Sequence, residues 1–145
     1  MSERVFIDTN ILVCADDLDA GPKNAIAVNL LRDVITQRRG VISTQVLQEF
    51  FVTITKKLKV PAEIAKRKVE LLSALDVVRV DEKLILKAID LHRLELFSFW
   101  DALVVRTAIE AGVAALLTED LQHGRLIEGV RIHNPFKDAP APWIG

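Results

Sequence analysis

The chain has 145 residues, half of them hydrophobic and 27% charged, with 19 Lys and Arg against 20 Asp and Glu and a formal net charge of −1. That length suits one domain, able to bury about 70% of the surface its unfolded chain exposes, so folding requires neither a disulfide nor a structural metal. The charge balance excludes a grip on nucleic acid by global positive potential; the single Cys14 excludes an internal disulfide; and no apolar run approaches the roughly 18 residues of a membrane span.

Met1 to Arg4 runs straight into Val5-Phe6-Ile7 with no basic, apolar leader, so a cytoplasmic protein is expected. Val5-Phe6-Ile7 reads as a buried parallel strand that ends abruptly at Asp8-Thr9-Asn10. Ile11 to Val13 continues apolar, and Asp16 to Gly21 is a polar loop. Pro22 opens a helix carrying Ile26, Leu30, Leu31, Val34 and Ile35 at helical spacing, with Gly40 as its expected stop. Val41-Ile42 is a second strand. Ser43 or Thr44 caps a helix whose stripe is Leu47, Phe50, Phe51, Ile54 and Leu58. Pro61 begins another helix, with Ile64, Leu71, Leu72 and Leu75, of which Leu71, Leu72 and Leu75 suit core or interface equally. A strand over Val77 to Val80 is followed by a helix capped by Asp81 and reaching about Leu96. Ser98 starts a further helix that Gly112 ends; Ala114 to Leu117 is a strand closing on Thr118-Glu119-Asp120, and Val130 to Ile132 is the last. Short β-branched runs alternate with helices, so the class is α/β: a mostly parallel sheet of four or five strands flanked by helices. Strand order does not follow from periodicity. Residues 1–136 form the expected domain; 137–145, rich in Pro and Ala, form a flexible C-terminal tail on which Trp143 is the one candidate for docking.

Ligands of open α/β sheets sit beyond the carboxyl ends of the strands. Asp8 and Asp120 occupy that place, although such carboxylates also serve as turn formers or helix caps. Asp101 is the fourth residue of Ser98-Phe99-Trp100-Asp101, which partly fits a capping box; the same geometry points it past the amino end of its helix, which is compatible with a site and does not establish one. Glu49 lies opposite the apolar stripe of its own helix, where a solvated glutamate is the default. Competing chemistries are poorly supplied. Cys14 has no adjacent activator, His92, His123 and His133 lack metal-ligand spacing, and neither a nucleophile elbow nor a phosphate-cradling glycine loop is present. The chain offers carboxylates, and these select hard cations such as Mg²⁺ and Mn²⁺.

Phe6-Ile7-Asp8-Thr9-Asn10-Ile11-Leu12 resembles the opening motif of PIN domains, and the full chain looks like a VapC-type toxin of a toxin–antitoxin pair. Gln48-Glu49-Phe50, Trp100-Asp101-Ala102 and Thr118-Glu119-Asp120 follow in the family's order, so the match covers about residues 4 to 135. The resemblance implies a Rossmann-like, three-layer PIN fold and Mg²⁺- or Mn²⁺-dependent cleavage of RNA, leaving a 5′-phosphate and a 3′-hydroxyl. It carries over Asp8, Glu49, Asp101 and Asp120 as the acidic cluster and catalytic set, with Asn10 and Thr118 supporting them by hydrogen bonds. At the fourth position Glu119 competes with Asp120, which is taken as the match because it follows Thr118 by two. Homodimerisation and silencing by a cognate antitoxin are likewise implied.

Two unit charges about 4 Å apart repel by roughly 4 kcal/mol at an effective dielectric near 20, so four gathered carboxylates call for one or two divalent ions. Asp8 is the expected central ligand, because a strand end fixes it most rigidly. An acidic site cannot attract RNA, so phosphate contacts are expected from Arg38-Arg39, from Lys56-Lys57 with Lys59, from Lys66-Arg67-Lys68, or from a second subunit. Single-stranded RNA or an exposed loop suits such a pocket better than duplex. Two rivals stand against this reading. One is a PIN-fold module that binds RNA or protein without cutting; such modules usually lack an acidic position, and this chain has all four. The other is an aspartate-nucleophile phosphohydrolase of the haloacid dehalogenase type, which needs an Asp where this chain has Asn10.

Overall fold

Runs of buried, branched residues become the strands. The computed structural model describes residues 3–137, with β1 (Val5–Ile7), α1 (Thr9–Asp16), α2 (Pro22–Thr36), β2 (Gly40–Ser43), α3 (Thr44–Lys56) and α4 (Ala62–Leu72) in the first half. The second half holds β3 (Asp76–Val78), α5 (Glu82–Leu94), α6 (Phe99–Ala111), β4 (Ala115–Leu117), β5 (Leu126–Ile127) and β6 (Val130–His133). Residues 138–145, with the expected tail and Trp143, lie outside the described residues.

The sheet order is β3-β2-β1-β4-β6-β5. Every pairing is parallel except β5 with β6, so helices flank a mostly parallel sheet in the PIN-like three-layer arrangement. The sheet has one strand more than the upper expectation, because a two-residue antiparallel edge at Leu126–Ile127 is too short to leave a periodic signal. The central strands are buried on both faces: Val5, Phe6, Ile7, Leu116 and Leu117 are all at 0% exposure, as continuous apolar runs in a parallel sheet require. Two helix pairs extend the packing, α1 with α2 and α5 with α6, the latter around Leu84, Ala88 and Leu103.

Most caps fall where the residues put them. Ser43 accepts from the Val46 amide, Asp81 from Leu84, and Ser98 from Asp101, while Gly112 ends α6 in the left-handed conformation at φ 70. Gly40 differs from expectation. Helix α2 ends earlier, at Thr36, and Gly40 is the first residue of β2, where a Cβ would stand 3.0 Å from both Leu75 and Val34. A tight contact, and not a helix stop, is its reason. The run Ile11 to Val13, which showed no periodicity, is the middle of helix α1; Ile11, Leu12, Val13 and Cys14 are all buried, so no polar face remains to mark a helical period. On α4 and the turn after it, Leu72 and Leu75 pack on the core whereas Leu71 is exposed.

Candidate functional site

In this strand order, β1 lies between β2 and β4, and the connection reverses direction between β1 and β4. The carboxyl ends of those two strands flank the crevice of a doubly wound sheet. Asp8 follows β1 and Thr118 follows β4, so residues 110 positions apart become neighbours.

Asp8 has two roles at once. Its extended backbone caps α1, with Oδ1 accepting from the Thr9 amide at 2.8 Å. Its Oδ2 accepts from the Thr118 hydroxyl at 2.8 Å and from Asn10 Nδ2 at 3.2 Å. The cap reading and the site reading are therefore both satisfied by one side chain. Asp8 is only 7% exposed, and burial pushes its carboxyl up to about 6 from an ordinary 3.8. Thr118 and the Thr9 amide pull the other way, and the charges of Glu49 and Asp120 add to the rise.

Asn10 joins the two strand ends. Its Nδ2 also reaches Asp120 Oδ2 at 2.8 Å and Thr118 Oγ1 at 3.2 Å, while its Oδ1 accepts from the Glu119 amide at 3.2 Å. The Asp120 amide donates in turn to Thr118 Oγ1 at 3.2 Å. Of the two adjacent acids, Asp120 is thus tied to the Asp8 network. Glu119 is drawn off by Lys23 Nζ at 2.7 Å, with the Cys14 thiol 3.9 Å away.

Glu49 is not the solvated helix residue that its own stripe suggested. Helix α1 packs across α3, and Thr9 Oγ1 donates to Glu49 Oε1 at 2.9 Å. Thr9 therefore holds Asp8 through its amide and Glu49 through its hydroxyl. Gln45, one turn earlier on α3, spans from Glu49 Oε2 to the Trp100 carbonyl, both at 3.4 Å. Asp101 sits half-buried in the first turn of α6; burial raises its carboxyl, its contact with Ser98 lowers it, and Asp120 raises it again. All four expected acids line one cleft of about 640 Å³, within the size range of ordinary ligand pockets.

The four are not closed round a point. Among the described residues, no three His, Cys, Asp or Glu side chains are grouped as they would be around an ion. The donor set is nonetheless all oxygen, and hydrogen bonds to Asp8 come only from neutral groups. That chemistry fits Mg²⁺ or Mn²⁺, since a small hard cation keeps several waters and takes one or two carboxylates directly.

Of the expected phosphate contacts, only Lys57 lines the cleft. Arg39 is buried at the amino end of β2, Arg67 pairs with Glu70, and Lys68 pairs with Asp16. Sequence reasoning passed over Thr9, Gln45 and Trp100. Thr9 lay in plain view between two motif residues, but nothing in the sequence shows that α1 and α3 touch.

The PIN domain family model matches residues 5–128 of the chain. Solved structures are similar over most of its length. A toxin–antitoxin complex from Klebsiella pneumoniae superposes with a TM-score of 0.67 at 22% identity, covering 92% of this chain and 99% of that one. VapC20 of Mycobacterium tuberculosis, described as a sarcin–ricin loop cleaving toxin, gives 0.60 at 21% identity over 77% and 86%. VapBC2 from Rickettsia felis, bound to a DNA fragment from its promoter, gives 0.63 at 23% over 90% and 97%. At these identities the likeness speaks for the fold. No curated protein matches the sequence.

Proposed function

The chain belongs to the PIN domain family, and from that premise we propose that it is a divalent-metal-dependent endoribonuclease, the toxin of a toxin–antitoxin pair. The observation that carries this reading is Asp8: a buried carboxylate at a strand end, within the influence of Glu49 and Asp120, with no cationic side chain among its hydrogen-bond partners. A protein that merely needed a helix cap there would not crowd it with further carboxylates.

Asp8, Glu49, Asp101 and Asp120 would hold one or two Mg²⁺ or Mn²⁺ ions, which supply activation of an attacking water and neutralisation of charge on the scissile phosphate. The chain's own residues do the positioning. Thr118 and Thr9 fix both oxygens of Asp8, so its orientation is set before anything binds. Asn10 spaces Asp120 from Asp8 with a neutral amide, keeping two like charges apart. Lys23 holds Glu119 aside and leaves Asp120 as the fourth acid. An RNA substrate, an antitoxin partner and a homodimer belong to the same reading; the toxin–antitoxin complexes among the similar structures support the antitoxin partner. No helix among the described residues is long and apolar enough to cross a membrane.

The test is cleavage of mixed RNA by the purified protein with Mg²⁺ or Mn²⁺, with and without EDTA, beside Asp8→Asn. Metal-dependent cutting that disappears in the variant is the expected result. Equal cutting by the variant would refute the site, and no cutting under any metal would leave a binding module.

A further inference from the structure

The cleft is a groove with a definite course. Along α3, Gln45, Gln48, Glu49, Val52 and Thr53 line it at helical spacing, and Lys57 follows at the end of the helix. At 1.5 Å per residue the step from Gln45 to Lys57 runs about 18 Å, long enough for several nucleotides of one strand. Gln45 touches the Trp100 carbonyl, so the carboxylates and the indole share one end, and Lys57 stands toward the other.

Trp100 is poorly explained by the fold. It precedes Asp101 directly, lines the cleft, and is 61% exposed where a core indole would be covered. Its ring is not loose. It crosses Phe99 at 73° with centroids 5.1 Å apart, and Phe99 packs in turn on the Leu84, Ala88 and Leu103 cluster between α5 and α6. A large aromatic surface is thereby held at the lip of an acidic cleft, beside the groups that would act on a phosphate. Exposed aromatic faces of this kind take unstacked bases, which every nucleotide can supply. Lys57 makes no ion pair among the described residues, which leaves its charge available to a phosphate farther along the strand.

We propose that Trp100 is the base-stacking platform of the cleft: a nucleobase adjoining the scissile phosphate leaves its stack and lies on the indole, with Lys57 meeting a phosphate downstream along α3. This rests on the nuclease reading and deepens it. Trp100 becomes the residue that selects unpaired RNA, because a base held in a duplex cannot reach the ring.

The experiment uses the full chain carrying Asp8→Asn, to prevent cutting, and Trp143→Phe, so that Trp100 is the one remaining indole. With Mg²⁺ present, a single-stranded oligoribonucleotide quenches its emission, whereas an abasic backbone of equal length and a fully paired blunt duplex do not. In the active protein, Trp100→Ala weakens use of the single-stranded oligonucleotide roughly 10- to 100-fold, mainly in KM, and Trp100→Phe restores most of the loss. Lys57→Gln lowers the salt dependence of binding by about 0.7 in log–log slope, one phosphate contact. Equal quenching by the abasic backbone, or emission that follows protein concentration and ignores RNA, overturns the platform; the second result marks a protein-docking face instead. Wild-type cutting that Trp100→Ala leaves unchanged removes the stacking role alone, whereas absence of metal-dependent cutting in the wild type removes the nuclease reading with it.

Discussion

The two ends of the sheet carry hollows of similar size and opposite character. The cleft at the carboxyl ends of β1 and β4, about 640 Å³, gathers Asp8, Glu49, Asp101 and Asp120 around neutral Thr and Asn donors. The hollow at the amino ends of β2 and β3, about 540 Å³, is lined by Leu71, Leu72 and Leu75 with Arg4 and Arg38, and its one acid, Asp76, is ion-paired with Arg4. One end pairs its single acid with an arginine of the chain, and the other gathers four acids with no cationic partner on Asp8. On the proposed reading, a carboxylate cluster supported by neutral donors would take its counter-charge from a cation that the polypeptide itself does not supply.

The sharpest way to break that contrast is to remove the charge at its centre. Asp8→Asn is expected to lower RNA cleavage on the order of 10³-fold or more. The same change should stabilise the metal-free protein. A carboxyl raised from 3.8 to about 6 keeps its proton in the folded state where the unfolded chain has lost it. The associated stability is present below about pH 4 and is lost as pH rises through 6; the full loss, near 3 kcal/mol, applies at neutral pH. Asn escapes that loss at the expense of about one hydrogen bond, so in EDTA at pH 7 the variant should be more stable by about 1–2 kcal/mol, with a flatter stability profile between pH 4 and 6. A lower Tm than the wild type in EDTA would mean that the carboxylate stabilises the empty fold.

Thr118→Val tests the support and not the charge. It deletes the hydroxyl that donates to Asp8 and receives the Asp120 amide. Loss of such an orienting partner is worth roughly 10- to 100-fold in metal affinity, read as a shift in the Mg²⁺ concentration for half-maximal cleavage. Recovery of the maximal rate at high Mg²⁺ is the expected pattern, and a lowered rate at saturation would place Thr118 in the chemistry itself.

At the opposite end the expected effects fall on stability. Gly40→Ala must push back Leu75 or Val34, at a cost of about 1–3 kcal/mol in chemical denaturation, with cleavage by the remaining folded protein unchanged. Arg4→Ala breaks the exposed pair with Asp76 and should cost less than about 1 kcal/mol. A catalytic defect in either variant would show that the two hollows communicate.

Much of this was legible beforehand. The strands at Val5–Ile7 and Ala115–Leu117 are runs too apolar to lie anywhere but inside a parallel sheet, and Ser43, Asp81, Ser98 and Gly112 marked helix ends by their own chemistry. Where reading failed, a distant contact had changed the meaning of a residue. Gly40 looked like a stop because its crowding by Leu75, from after α4, is invisible locally. Spacing alone gave Glu49 a solvated default, and only the resemblance singled it out, because its own helix carries no trace of Thr9 forty positions earlier. The basic clusters were sorted in the same way: Lys68 is taken by Asp16, and Lys57 alone lines the cleft.

By itself the sequence determined the kinds of element, most of their caps, and which carboxylates end strands or open helices, since all of these depend on forces acting over a few residues. Only the tertiary structure decided that β1 and β4 are neighbours, that α1 crosses α3, and hence that Asp8, Asn10, Thr118 and Asp120 share one hydrogen-bonded network while Glu119 turns to Lys23. Backbone pairing between strands is indifferent to side-chain identity, so strand order is chosen by how whole helices cover the sheet. The closeness of charges 110 residues apart is a consequence of that global packing, which no short stretch of chain records.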